Sequence, residues 1–264
     1  MGSLSQEHKL DVIEFSDKNS KPGTESWSKT CDEVVSALEK YGCFVASYDK
    51  LTQETHTTVF QALEELFDLP TQTKVQNKST KPLYGYVGQI PFIPLYESMG
   101  IDDADTLQGI QNFAKVMWPN GNNDFRYAFF AYIFSLVVTI SAHSRILNPY
   151  LYGKLNAIPG YLHEKLVWYT KLAAELEKIV VQMVFERYGV GKHYESLIGS
   201  ANYLCRVMKY REPKSNENNM GFVSHTDKSF MSTIHQNQVD GLEIKTKDGE
   251  WFGVHQLSSS SVIV

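Results

Sequence analysis

The sequence predicts an α+β fold with helices concentrated before strands, and three observations carry that prediction. Leu162, Leu166, Tyr169, Ala173, Leu176, Val180, Val184 and Tyr188 recur at i, i+3/i+4 spacing with charges between them, the stripe of an amphipathic helix over 161–188. From Ala201 onward this period gives way to short runs rich in β-branched and aromatic residues, as strands require. Lys247-Asp248-Gly249-Glu250 separates two such runs, and Asp-Gly between apolar segments marks a hairpin turn.

In chain order, VIEF at 12–15 reads as a short strand. Thr24 or Ser26 can cap a helix that carries Trp27, Cys31, Val34, Val35 and Leu38 on one face and stops at Tyr41-Gly42. Cys43-Phe44-Val45 resumes as a strand. A second helix starts near Thr52, buries Val59, Leu63, Leu66 and Phe67, and ends before Pro70, which suits the start of a short third helix. Residues 79–101 read as a loop, with Pro82, Gly85, Gly88, Pro91 and Pro94 among aromatic rings. That loop is either structural or one wall of a substrate cavity. Thr106 to Val116 reads as a helix closed by Trp118-Pro119. The nearly continuous apolar run at 127–140 is too short to span a bilayer and reads as a buried core element. Beyond the long helix, strands are expected at 203–210, 221–225, 231–235, 242–246, 251–254 and from Ser261. The domain division that follows is a helical region at 1–120, an atypical apolar insertion at 121–160, and the long helix with the strand region at 161–264.

The 264 residues are enough for a substantial core, and the composition (42% hydrophobic, 21% charged) is that of a globular protein. A net charge of −5 argues against nucleic-acid or anionic-membrane partners, which call for a basic surface. Cys31, Cys43 and Cys205 are odd in number, widely spaced and match no zinc pattern, so they read as reduced thiols. With no apolar signal segment at the N-terminus, the expected setting is a cytoplasmic monomer acting on a small molecule.

The chemistry concentrates in GFVSHTDKSFMSTIHQNQVDG, residues 221–241. Residues two apart on an extended chain share a face, so His225 and Asp227 aim an imidazole and a carboxylate at one point. These are two members of the 2-His-1-carboxylate facial triad that holds non-haem Fe(II). An isolated His-x-Asp also occurs by chance. His235 reads as a packed or hydrogen-bonded histidine, and His193 and His255 as surface residues.

VIEFS at 12–16, ALEKYGCF at 37–44, ELFDLP at 65–70, YGYVGQ at 84–89, NFAKVMWP at 112–119, RVMKY at 206–210 and SHTDKSFMSTIHQNQVDGLEIKTKDGEWFGV at 224–254 extend this motif along the chain. Together they resemble the plant soluble Fe(II)/2-oxoglutarate-dependent dioxygenases, and more narrowly the branch that modifies glucosinolate side chains. The resemblance implies an N-terminal helical cap on a double-stranded β-helix (jelly roll), with His225 and Asp227 as iron ligands. It also implies Fe(II), 2-oxoglutarate and ascorbate as cofactors, and oxidative decarboxylation of 2-oxoglutarate coupled to oxidation of the substrate. The family carries Asn-Tyr-Tyr-Pro before the iron motif, its second Tyr contacting 2-oxoglutarate. Here the register reads Met208-Lys209-Tyr210-Arg211, so Tyr210 is either that contact or a strand residue.

Two departures shape the expectation. The family's distal histidine and the Arg-x-Ser that grips 2-oxoglutarate lie farther from the His-x-Asp than Val264 does. The jelly roll is therefore expected to be incomplete and the chain impaired, a non-catalytic relative being the alternative to an enzyme. Residues 126–160 interrupt a stretch that the family runs almost directly into the long helix, as a retained intron or misjoined reading frame would produce.

Overall fold

The β-branched and aromatic residues at both ends of the chain meet in one sheet. The computed structural model describes residues 8–16, 18–19, 21–119, 161–237, 239–255 and 260–264, so the apolar run at 127–140 and the 121–160 insertion lie outside the described residues. Two compact units emerge: 1–56, 172–201 and 223–264 form the first, and 57–171 with 202–222 the second. Each joins segments far apart in sequence.

In the first unit, Val12–Phe15 (β1) pairs in parallel with Phe44–Tyr48 (β2), Val12 opposite Val45 and Phe15 opposite Tyr48. Ser260–Ile263 (β9 in chain order) inserts antiparallel between β2 and Thr233–Ile234 (β6), giving the order β1-β2-β9-β6. Glu25–Tyr41 (α1) joins the first two strands. Its start is set by Thr24, whose hydroxyl accepts the Trp27 amide at 3.1 Å, and its end by Gly42 at φ 73°, a left-handed position that glycine adopts without a Cβ penalty. Glu243–Lys245 (β7) and Trp251–Gly253 (β8) form the expected hairpin, with Gly249 at φ 91° in its turn. Leu10, Cys43, Val45, Val254 and Val262 make the core beneath it.

In the second unit, Tyr86–Val87 (β3), Tyr96–Asp102 (β4) and Leu204–Tyr210 (β5) form an antiparallel sheet with Tyr96 opposite Tyr210 and Asp102 opposite Leu204. This corrects the loop expected over 79–101. Gly100 sits within β4 because a Cβ there would lie 2.2 Å from the Tyr84 carbonyl oxygen; glycine admits a close backbone approach, not a turn. Leu107–Met117 (α4) starts at Thr106, whose hydroxyl accepts the Gly109 amide at 3.0 Å. Leu66, Phe67, Met99, Ile101, Ile110, Phe113, Met117, Val167 and Val207 form the core. Thr71–Lys74 (α3) follows Pro70 as expected, but Lys74 is buried. Its ammonium lies 2.7 Å from Glu97 Oε1 and donates to the Phe67 carbonyl at 2.6 Å, while the Tyr86 hydroxyl donates to the same carboxylate at 2.8 Å.

Gln53–Asp68 (α2) and Tyr161–Arg187 (α5) each run from one unit into the other. Tyr169, Leu176 and Val180 of the predicted α5 stripe are buried, whereas Tyr188 is exposed and donates to Glu39 at 2.8 Å. A 3-10 turn at Gly191–His193 and the short helix Tyr194–Ser200 (α6) follow. Two strand expectations are corrected. Residues 221–225 carry no ladder pairing, and the strand expected over 231–235 shortens to Thr233–Ile234. The three cysteines are free, and burial pushes each thiol up to about 11, so they remain protonated. Among the described residues, no helix is long and apolar enough to cross a membrane.

Candidate metal centre

The two-residue spacing of His225 and Asp227 does what it predicts, although the segment carrying them belongs to no sheet. His225 Nε2 lies 3.4 Å from Asp227 Oδ1. Two donors about 2.1 Å from one ion and at right angles to each other are about 3.0 Å apart, so this spacing is close to that of adjacent ligands on a first-row divalent metal.

The outer contacts orient both groups. His225 Nδ1 lies 2.9 Å from the Val223 carbonyl oxygen, which can only accept, so the neutral ring carries its proton on Nδ1 and its lone pair on Nε2. A ligating histidine commonly holds its other N–H on a backbone carbonyl in this way. The Ser232 hydroxyl donates to Asp227 Oδ2 at 2.8 Å, which leaves Oδ1 toward the imidazole. Ser229 Oγ is 2.8 Å from Ser232 Oγ and extends the chain of contacts. Both side chains are open to solvent, His225 at 54% and Asp227 at 37%, so an ion can reach them. The donor set, one imidazole and one carboxylate, suits Fe(II). Among the described residues, no group of three or more His, Cys, Asp or Glu side chains surrounds one ion position.

Val223 and Ser232 are contacts of this pair that sequence reasoning missed. A backbone carbonyl leaves no trace in residue type, and Ser232 lies five residues beyond Asp227 with no periodic relation to it. Ser232→Ala is expected to weaken divalent-metal binding about tenfold or more, the usual effect of losing an outer partner. Equilibrium dialysis against Fe(II) under anaerobic conditions measures this, and an unchanged affinity would show that Asp227 is oriented without Ser232.

Tyr210 ends β5 in the second unit. Its ring lies 5.5 Å from the Tyr96 ring and packs under Gly221, where a Cβ would approach its Cδ1 to 2.9 Å. Desolvation, reinforced by Tyr96, pushes its hydroxyl up to about 12, so it stays a hydrogen-bond donor at neutral pH. The other histidines match their predicted roles. His193 is exposed in the 3-10 turn, and His255 sits at the surface 2.7 Å from Asp240. His235 Nε2 lies 2.6 Å from the Ser261 hydroxyl of β9.

Desolvation and the neighbouring His56 lower His235 to about 3, so it is neutral in the folded chain. An unfolded histidine takes up a proton below about pH 6.5, which gives the sign of the effect. Stability is expected to fall as pH drops from about 6.5 toward 3, by up to about 1.4 kcal/mol per pH unit. Urea unfolding at stepped pH of the wild type and His235→Gln checks this; parallel curves would remove His235 as the cause.

Comparisons with known proteins identify the family. Residues 10–91 match the family described as the N-terminal region of non-haem dioxygenase in morphine synthesis, and residues 201–264 match the 2OG-Fe(II) oxygenase superfamily. The chain is 38% identical over 261 residues to the probable 2-oxoglutarate-dependent dioxygenase AOP1 of Arabidopsis thaliana, covering 97% of this chain and 68% of that protein. It is 30% identical to the 2-oxoglutarate-dependent dioxygenase AOP2 of the same plant, covering 92% of this chain and 46% of that protein. Among solved structures it is similar to the dioxygenase for auxin oxidation 1 from Arabidopsis thaliana bound to 2-oxoglutarate. That match has a TM-score of 0.72 and 18% identity, and covers 97% of this chain and 79% of the other, a likeness of fold. The rice dioxygenase for auxin oxidation matches with a TM-score of 0.63 and 20% identity, covering 97% of this chain and 70% of the other. With both family regions matched and a paired His-x-Asp in the second of them, the chain belongs to the 2OG-Fe(II) oxygenase superfamily.

Proposed function

We propose that this protein oxidises a small plant secondary metabolite of the glucosinolate side-chain type, with Fe(II) held by His225 and Asp227 and with 2-oxoglutarate as co-substrate. The observation that carries the reading is the 3.4 Å approach of His225 Nε2 to Asp227 Oδ1, each group oriented by an outer hydrogen bond. Fe(II) supplies the site at which 2-oxoglutarate and oxygen react. The chain's own residues do the positioning. The Val223 carbonyl fixes the imidazole tautomer, and the Ser232 hydroxyl turns the carboxylate. The 38% identity to a probable 2-oxoglutarate-dependent dioxygenase supports the same reading.

The test is succinate release from the purified chain with Fe(II), ascorbate and 2-oxoglutarate, with and without a panel of glucosinolates. Succinate release that rises with one of these and is lost in Asp227→Ala supports the proposal. Metal binding without succinate release favours the second reading, a non-catalytic relative that retains a metal site.

A further inference from the structure

The orientation of Asp227 rests on Ser232, and the backbone of Ser232 is held by the strand beside it. The Ser232 hydroxyl reaches Asp227 Oδ2 at 2.8 Å, while its amide and carbonyl exchange two 2.9 Å hydrogen bonds with Val264. That exchange extends the β6–β9 ladder, in which Thr233 faces Ile263 and Ile234 faces Val262. The same register places His235 opposite Ser261, and the side chains meet, His235 Nε2 lying 2.6 Å from Ser261 Oγ. All of these residues belong to the first unit.

β6 is two residues long and, among the described residues, stands at the edge of its sheet. So short a ladder specifies its register weakly through backbone bonds alone. A side-chain bond between directly opposed residues resists a slip, and this one forms around a serine that is 1% exposed, away from competing water. Successive side chains on an extended segment alternate in direction. A slip of one residue would therefore turn the Ser232 hydroxyl away from Asp227. The next residue, Gln236, is anchored elsewhere. Its carbonyl lies 2.9 Å from His56 Nε2, its side-chain amide donates to the Val254 carbonyl at 3.1 Å, and its Oε1 accepts the Leu242 amide at 3.0 Å. Those bonds reach segments other than β9, and the His235–Ser261 pair supplies a side-chain link to it.

Resting on the reading of His225 and Asp227 as iron ligands, we propose that His235 and Ser261 are positioning residues of the metal centre. Their hydrogen bond fixes the register of β6 on β9, the register aims the Ser232 hydroxyl, and that hydroxyl turns the Asp227 carboxylate. Their influence on the metal passes through Ser232.

Anaerobic equilibrium dialysis of the full chain against Fe(II) tests this, with the folding of each variant verified by circular dichroism. Ser261→Ala is expected to weaken Fe(II) affinity about threefold or more, the equivalent of one neutral hydrogen bond, and no further than Ser232→Ala does. His235→Leu removes the same bond from the other side and is expected to match it. Introduced into Ser232→Ala, either substitution is expected to cost no additional affinity, because the route it acts through is already cut. Ile13→Val, in β1 at the opposite edge of the sheet, is expected to leave the affinity unchanged. Wild-type affinity in both Ser261→Ala and His235→Leu, additive losses in the double variants, or an equal loss in Ile13→Val would each overturn the proposal. Asp227→Ala measured alongside separates the two readings. Full affinity there removes the metal centre itself and this inference with it, whereas a loss there with none in Ser261→Ala and His235→Leu removes the inference alone.

Discussion

Asp227→Ala is expected to reduce Fe(II) affinity by about 100-fold or more, and His225→Ala to do the same. Losing an outer partner of a metal ligand typically costs 10–100-fold, and a ligand itself is worth at least as much. The two donors are separated by 3.4 Å and each has its second polar atom engaged, Nδ1 with the Val223 carbonyl and Oδ2 with the Ser232 hydroxyl. Both side chains are solvent-exposed, so neither substitution opens a core cavity. Their effects on unfolding free energy should stay within about 0.5 kcal/mol, as at ordinary surface positions. Anaerobic dialysis measures the first quantity and urea unfolding the second. Full affinity in both variants would place the metal elsewhere, and a large stability loss would recast the pair as structural.

Lys74→Ala is expected to destabilise the chain by about 3–5 kcal/mol, the cost of stranding one partner of a buried ion pair. The Lys74 side chain is 7% exposed and that of Glu97 19%, and their 2.7 Å contact is accompanied by bonds to the Phe67 carbonyl and the Tyr86 hydroxyl. Removing the ammonium leaves the Glu97 carboxylate with a neutral phenol and no cation within the network. Lys74→Met combined with Glu97→Leu should recover most of the loss, because a hydrophobic pair of similar volume removes both desolvation penalties. Urea unfolding of the two variants separates these outcomes. A double variant as unstable as the single one would mean that the cluster stabilises through packing rather than charge.

The helices were legible because their signals are local. Thr24, Gly42, Pro70 and Thr106 act within one turn of the position they occupy, and the structure uses each at a helix boundary. The Asp248-Gly249 hairpin is local in the same sense. The strand at 96–102 was hidden because Pro91 and Pro94 ahead of it signal a loop, and the fit of Gly100 within it depends on the backbone of residue 84 lying against it. The insertion of β9 between β2 and β6 depends on pairing Phe44 with Ile263, which no local pattern announces. Lys74 reads as a surface residue in TQTK, and only the fold brings Glu97 to it. At the candidate metal centre the two-residue spacing revealed the convergence of His225 and Asp227. Their orientation rests on a backbone carbonyl and a serine that sequence patterns do not single out.

The most direct measurement is anomalous scattering at the iron edge from crystals of this chain equilibrated with Fe(II) without oxygen. A single strong peak bridging His225 Nε2 and Asp227 Oδ1, at about 2.0–2.2 Å from each, is the predicted result. An empty position between them, with iron located at other side chains, would contradict it.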